Sequence, residues 1–295
     1  MDETMSAPHV RGARRWRPGR ITCLTGMAAG GYLAVLLILL TLESRILYRP
    51  VRAADEWLPP PNARVRDVLL HTTDGTLIHA WWCPTDHWDK SQGALLYCHG
   101  TYGNLSLPTN DVRPWQRELG AAVLTFDYPG YGRSEGQPSE EGCYAAAEAA
   151  FEWLTQIQQV APEHVLLVGN SLGGGPAVEL ADRHPHRALV LCRTFTSIPD
   201  MAQVQCPWLP ARWLVRNHFE NLAKIGRCAG PVFIVHGAAD RLIPPSQGKD
   251  LFEAAPGPKE FILVEGLSHN DPLRPEVFQQ LRTFLKKTAP PAVKG

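Results

Sequence analysis

The sequence predicts an α/β protein built on a mostly parallel sheet covered on both faces, and three observations predict it. First, short apolar runs recur at residues 94–98, 121–126, 165–168, 188–192, 232–235 and 261–264, several of them followed by helix-compatible stretches. Strands buried on both faces read as such continuous apolar segments. Second, residues 65–71 and 76–83 are joined by Asp74-Gly75, a hairpin signal that places an antiparallel pair at the front. Third, Gly169-Asn170-Ser171-Leu172-Gly173 stands between a run of strand type and a helix-compatible stretch at 176–181. That is G-x-S-x-G at a strand-to-helix turn, the context of a nucleophile elbow.

Taken in order, the chain begins with a polar segment, residues 1–20, that carries Arg11, Arg14, Arg15, Arg17 and Arg20 and is expected to be disordered. Residues 21–42 hold no charged side chain. As a helix they would extend roughly 33 Å, enough for a hydrocarbon core of about 30 Å. Gly30-Gly31 weakens the first half of that run. The basic region is long for a cleaved signal peptide and no clean small-x-small site follows, so an uncleaved signal anchor is expected. The arginine excess before the span, against Arg45, Arg49 and Arg52 after it, favours a cytoplasmic amino terminus. The globular part would then lie on the far side of the membrane, in the periplasm if the source is bacterial. Residues 43–64, with Leu58-Pro59-Pro60-Pro61, read as a tether, and the domain is expected to span 65–295. Residues 139–158 read as a long helix that Ser139 can cap, and 275–287 as a closing amphipathic helix.

Composition bounds the function. The chain has 295 residues, 44% hydrophobic and 20% charged, with a formal net charge of zero, and nothing in that balance suggests nucleic acid. Of seven cysteines, Cys23 lies in the membrane run and Cys83, Cys98 and Cys192 lie in or at the ends of strands. Cys206 and Cys228 could pair in an oxidising compartment. No C-x-x-C is present, which removes zinc and thioredoxin-type redox readings.

In parallel sheets ligands sit beyond the carboxyl ends of the strands, so the informative residues follow each strand. A Cβ at Gly169 or Gly173 would crowd the sharp turn that lifts the Ser171 hydroxyl, and the turn leaves the Leu172 N–H free to face an anion. A serine hydroxyl needs a base, and the base needs an orienting acid. With a nucleophile elbow the chain order is Ser, acid, His. Five histidines follow Ser171: His184, His186, His218, His236 and His269. His269, just after the final strand, is the expected base. Asp240, after the strand that ends at 235, is the expected acid and is preferred to Asp271 two residues from the histidine. The second oxyanion donor should come from the loop His99-Gly100-Thr101-Tyr102-Gly103, through the Thr101 backbone. His99 precedes the serine and is expected to be structural.

These residues together resemble the α/β-hydrolase superfamily, and most nearly its membrane-anchored, abhydrolase-domain serine hydrolases of the bud-emergence suppressor type. The resemblance rests on His99-Gly100 with Gly103-Asn104, Asp127-Tyr128-Pro129-Gly130-Tyr131-Gly132 with Ser134, the elbow, Phe195-Thr196-Ser197, His236-Gly237 with Asp240, and Ser268-His269. It implies an eight-stranded sheet and a Ser171–Asp240–His269 triad that uses no metal and no organic cofactor. Two departures stand out. Thr101-Tyr102 replaces the Asn-Ala usual in the oxyanion loop, and Arg193-Thr194 replaces the small residue and proline usual before Phe195. Both bear on substrate range. A small cap of about thirty residues, 198–227, carries Trp208, Trp213 and Phe219. Tyr102, Trp208 and Trp213 are candidates to line the substrate pocket.

The expected activity is hydrolysis of esters or thioesters through an acyl-enzyme, on a small-molecule or acylated substrate. An acyl-protein thioesterase of depalmitoylase type, which needs a cytosol-facing domain, and a peptidase or amidase are the alternatives. Outside enzymes, the alternative is a catalytically silent binding protein on the same fold, which an intact Ser, Asp and His in the right order argues against.

Overall fold

The computed structural model describes residues 19–289. Most of the segment 1–20 expected to be disordered, and residues 290–295 of the expected domain, lie outside the described residues. The expected eight-stranded sheet is present. In chain order its strands are β2 (Arg66–His71), β3 (Leu77–Cys83), β4 (Ala94–Cys98), β6 (Ala122–Phe126), β7 (Val165–Asn170), β8 (Ala188–Cys192), β9 (Val232–Gly237) and β10 (Lys259–Val264). A separate two-stranded pair joins β1 (Arg49–Pro50) to β5 (Tyr102–Gly103). The large sheet runs β10-β9-β8-β7-β4-β6-β3-β2. Only β3 opposes its neighbours, pairing antiparallel with both β2 and β6. The order reverses around β4 and β7, and that switch point is where parallel sheets open a crevice at their carboxyl edge.

Alternation along each strand divides the core in two. Leu96, Leu124, Leu167, Leu189 and Ile234 face one side, with α3 (Glu140–Glu152), α4 (Gly174–Arg183) and α8 (Pro245–Ala254). Leu95, Val123, Val168, Val190 and Phe233 face the other, with α2 (Arg113–Leu119) and α9 (Pro275–Lys287). The Ser139 hydroxyl caps α3 by accepting from the Gly142 N–H at 3.0 Å, as its sequence position predicts. The cap consists of α5 (Ile198–Gln205), α6 (Ala211–Leu214) and α7 (Asn221–Ile225). Cys206 and Cys228 are both free thiols.

The apolar amino-terminal run is helical over α1 (Gly19–Leu47), unbroken at Gly30-Gly31. Its Leu24–Leu47 stretch, which holds an 18-residue window of mean hydropathy 1.9, is long and apolar enough to cross a membrane. Of the segment expected to be a tether, residues 43–57 pack on the domain. The compact unit that holds the sheet begins at Glu43. The Glu43 carboxylate accepts from the backbone N–H groups of Arg216 (3.0 Å) and Asn217 (2.9 Å). Tyr48 is buried and donates to Asn217 Oδ1 at 2.8 Å. β1 pairs with β5, and Arg52 donates to the Ser134 carbonyl at 2.8 Å. Trp57 meets His79 and Trp81 edge-on, with ring centroids 5.3 and 5.5 Å away, beneath the Arg133 guanidinium. Prolines and scattered charge read as a linker because a two-residue strand held by main-chain bonds leaves no apolar period to detect.

Candidate active site

The elbow follows from sterics. Ser171 has φ +53°, a left-handed conformation uncommon outside glycine. A Cβ on Gly169 would lie 2.6 Å from the Gly173 carbonyl oxygen and 2.7 Å from the Gly174 Cα, and one on Gly173 would run into the Cys98 carbonyl. Only glycine fits at either position, so the turn can close and α4 can start directly behind the serine. The Thr194 hydroxyl donates to the Ser171 carbonyl at 2.8 Å and satisfies the strained residue's own acceptor.

Three residues expected at the site converge. His269 Nε2 lies 3.1 Å from Ser171 Oγ, and His269 Nδ1 lies 2.7 Å from Asp240 Oδ2. Asp240 is buried, and its Oδ1 accepts from the Leu242 and Ile243 N–H groups, each at 2.9 Å. Burial by itself raises the Asp240 carboxyl. The neighbouring His236 and His269 imidazoles and the Ile243 N–H outweigh it and hold the group far below the usual carboxylate range. An ionised Asp240 keeps the imidazole proton on Nδ1, which turns the Nε2 lone pair toward the serine hydroxyl. Asp271 does not compete for the ring. Its carboxylate accepts from the Ser268 N–H at 2.8 Å and braces the histidine loop.

The other expected residues are placed less tightly. Gly100 packs on the elbow, where an added Cβ would lie 3.7 Å from the Ser171 Cβ, so Thr101 borders the serine on one side and Leu172 follows it on the other. Tyr102 is half exposed, and Trp208 and Trp213 project to solvent at 53% and 88% exposure. His99 is fully buried, its Nδ1 donating to the Gly100 carbonyl at 2.7 Å.

Two residues named in the sequence take bracing roles that it did not reveal. Arg193, buried at the end of β8 with φ +50°, donates to Asn170 Oδ1 at 3.2 Å and to the Asp271 carbonyl, tying the elbow to the histidine loop. His236 donates to the Ile243 carbonyl at 2.9 Å and lies 3.5 Å from Asp240 Oδ2, fixing the turn that presents the acid. The signal for Arg193 was its departure from the usual pattern before Phe195, which sequence reasoning tied to substrate range rather than to bracing.

A strained serine at the switch point, with histidine and aspartate from later strand ends, is the arrangement of α/β hydrolases. Comparison with known proteins agrees on the fold. Residues 93–215 match the family described as alpha/beta hydrolase fold. The chain is 34% identical over 284 residues to an uncharacterized protein of Mycobacterium tuberculosis, covering 94% of this chain and 98% of that one. It is 34% identical over 197 residues to alpha/beta hydrolase domain-containing protein 17B of Xenopus laevis, covering 65% of each. Among solved structures, a Pyrococcus furiosus esterase is similar in fold, with TM-score 0.65 at 17% identity over 82% of this chain and 97% of that one. An acetyl xylan esterase from a Paenibacillus species gives TM-score 0.63 at 19% identity, over 79% and 87%. The chain belongs to one family with the Mycobacterium tuberculosis protein and has the α/β-hydrolase fold.

Proposed function

We propose that the protein is a serine hydrolase that cleaves carboxylic esters or thioesters through an acyl-enzyme, anchored to a membrane by its amino-terminal helix. The observation that carries this is the continuous line from Asp240 through both nitrogens of His269 to Ser171 Oγ. Ser171 Oγ attacks the acyl carbonyl carbon as its proton passes to His269 Nε2. The Asp240 carboxylate stabilises the imidazolium. The N–H groups of Thr101 and Leu172 receive the oxyanion. As the tetrahedral adduct collapses, the bond to the alcohol or thiol breaks and His269 returns the proton to the leaving group. Water then attacks the acyl-Ser171 ester with His269 again as base, releasing the acid. Tyr102, Trp208 and Trp213 are assigned to the acyl-binding surface, which suits an apolar acyl chain. The arginine excess before the span supports a domain on the non-cytoplasmic side. The fluorophosphonate probe for serine hydrolases tests the proposal on the full chain in detergent. Labelling of the wild type and none of Ser171→Ala is expected, and an unlabelled wild type would favour the binding-protein alternative.

A further inference from the structure

The oxyanion loop is held from an unexpected quarter. Leu47 ends α1, and its carbonyl is one of those that a helix terminus leaves without an internal partner. The Thr101 hydroxyl donates to that carbonyl. In the same loop the Thr101 carbonyl accepts twice, from the Arg49 N–H at 3.1 Å and from the Tyr131 hydroxyl at 2.8 Å. One step further, the Val51 N–H donates to the Gly103 carbonyl at 3.0 Å. The side chain and carbonyl of Thr101 are thus both engaged by the segment that leaves the apolar helix or by Tyr131. The Thr101 N–H, by contrast, donates to no group among the described residues, while Gly100 before it rests against Ser171.

We infer that residues 47–51 are a positioning element of the active site: by gripping Thr101 through its hydroxyl and carbonyl, they aim its free N–H at the developing oxyanion. This rests on the serine-hydrolase proposal and adds to it that the end of the membrane helix is part of the catalytic apparatus. Thr101 acts at the reacting atoms through its backbone. Leu47 and Arg49 act only through Thr101. The physical logic is that an oxyanion donor accelerates the reaction when it is already oriented before charge develops. A loop containing Gly100 and Gly103 cannot supply that rigidity alone, because glycine backbones are the most free to move.

The test uses the full chain in detergent, with a short-chain nitrophenyl ester as substrate and a trifluoromethyl ketone as mimic of the tetrahedral adduct. Thr101→Val removes the hydroxyl at nearly constant shape. It is expected to lower kcat about tenfold, less than the roughly 10²–10³ that follows loss of a whole oxyanion donor. KM should stay within about twofold and ketone affinity should fall in step with kcat, since only transition-state binding is affected. Thr101→Ser, which restores the hydroxyl, should recover most of the loss. If Thr101→Val fails to fold, Thr101→Ala, which removes the same hydroxyl without adding a methyl, reads the same quantities. Wild-type kcat and ketone affinity in a folded Thr101→Val that still labels at Ser171 would overturn the inference and leave the hydrolase standing. A lowered Tm with unchanged kcat would reduce the segment to a structural clasp and overturn it as well. A wild type that does not label would sink the underlying activity instead.

Discussion

The molecule holds two histidine–aspartate pairs of nearly equal length in different surroundings. His269 meets Asp240 at 2.7 Å, and His79 meets Asp67 at 2.6 Å. In the first pair the aspartate is buried and the far ring nitrogen faces a serine hydroxyl. In the second the histidine is buried, the aspartate side chain is 53% exposed, and the far ring nitrogen, His79 Nδ1, is buried without a partner. Asp67 also accepts from Trp81 Nε1 at 3.0 Å, so it serves as a knot that ties β2 to β3 beside Trp57. The difference teaches that a short imidazole–carboxylate bond has no catalytic meaning by itself. On the serine-hydrolase proposal, what separates a triad from a clasp is the group at the other nitrogen and the strand edge where the pair sits.

The most forceful way to break the comparison is to remove the hydroxyl. Ser171→Ala is expected to lower ester turnover by about a millionfold, following the subtilisin triad. Turnover above that level, measured by steady-state hydrolysis, would mean that the group at the far nitrogen is not what distinguishes the pairs. Next in size is Asp240→Asn, which keeps the shape but lets the His269 proton move to the wrong nitrogen. A fall in kcat of about 10⁴ is expected. A loss of tenfold or less would show that the buried acid does not set the tautomer.

Much of this was legible in the sequence, for reasons that differ by region. Val165–Asn170 announced itself because a strand buried on both faces must be apolar throughout, and Gly169 and Gly173 because nothing larger closes the elbow. The order of Asp240 and His269, and their places after β9 and β10, pointed to the pair that lies beside Ser171. Residues 43–57 were not found, since part of what holds them is backbone of the 101–103 and 216–217 loops, which leaves no trace in residue type, and the side-chain partners of Tyr48 and Trp57 lie far away in the sequence. Arg193 was missed for a similar reason: its partners, Asn170 and the Asp271 carbonyl, come together only once the sheet has formed. The His79–Asp67 pair depends on the β2–β3 register, which sets Asp67 opposite Trp81 and Leu69 opposite His79.

A smaller effect sharpens the contrast through pH. Burial lowers the His79 pKa from its ordinary 6.5, against the opposing pull of Asp67. The unfolded chain therefore takes up a proton, as pH falls through that ordinary value, that the folded chain refuses. Stability from this group is complete above about 6.5 and is lost as pH falls toward the lowered folded-state value. His79→Gln keeps a donor for Asp67 and does not titrate. Between pH 7.5 and 5 its Tm should fall less than that of the wild type, by about 2–4 °C, the shift of roughly 1 kcal/mol in a domain of this size. His99, which burial pushes down to about 4, shifts in the same direction and remains in both proteins, so the variant flattens the profile only in part. Equal slopes by scanning calorimetry would show that the buried Nδ1 of His79 does not govern the clasp.

The smallest expected change is at the other end of that clasp. Burial tends to raise the Asp67 carboxyl, but hydrogen bonds from His79 and Trp81 bring it below the usual range. Because the side chain is half in water, solvent screens most of that advantage, and exposed pairs are worth about 1 kcal/mol or less. Asp67→Asn keeps one acceptor for the His79 and Trp81 donors and removes only the charge. It is expected to lower stability by at most about 1 kcal/mol in urea unfolding and to leave kcat within about twofold. A larger loss of kcat than of stability would make this second pair part of the catalytic machinery after all. The distinction between triad and clasp would then have to be sought in something other than the serine at the far nitrogen.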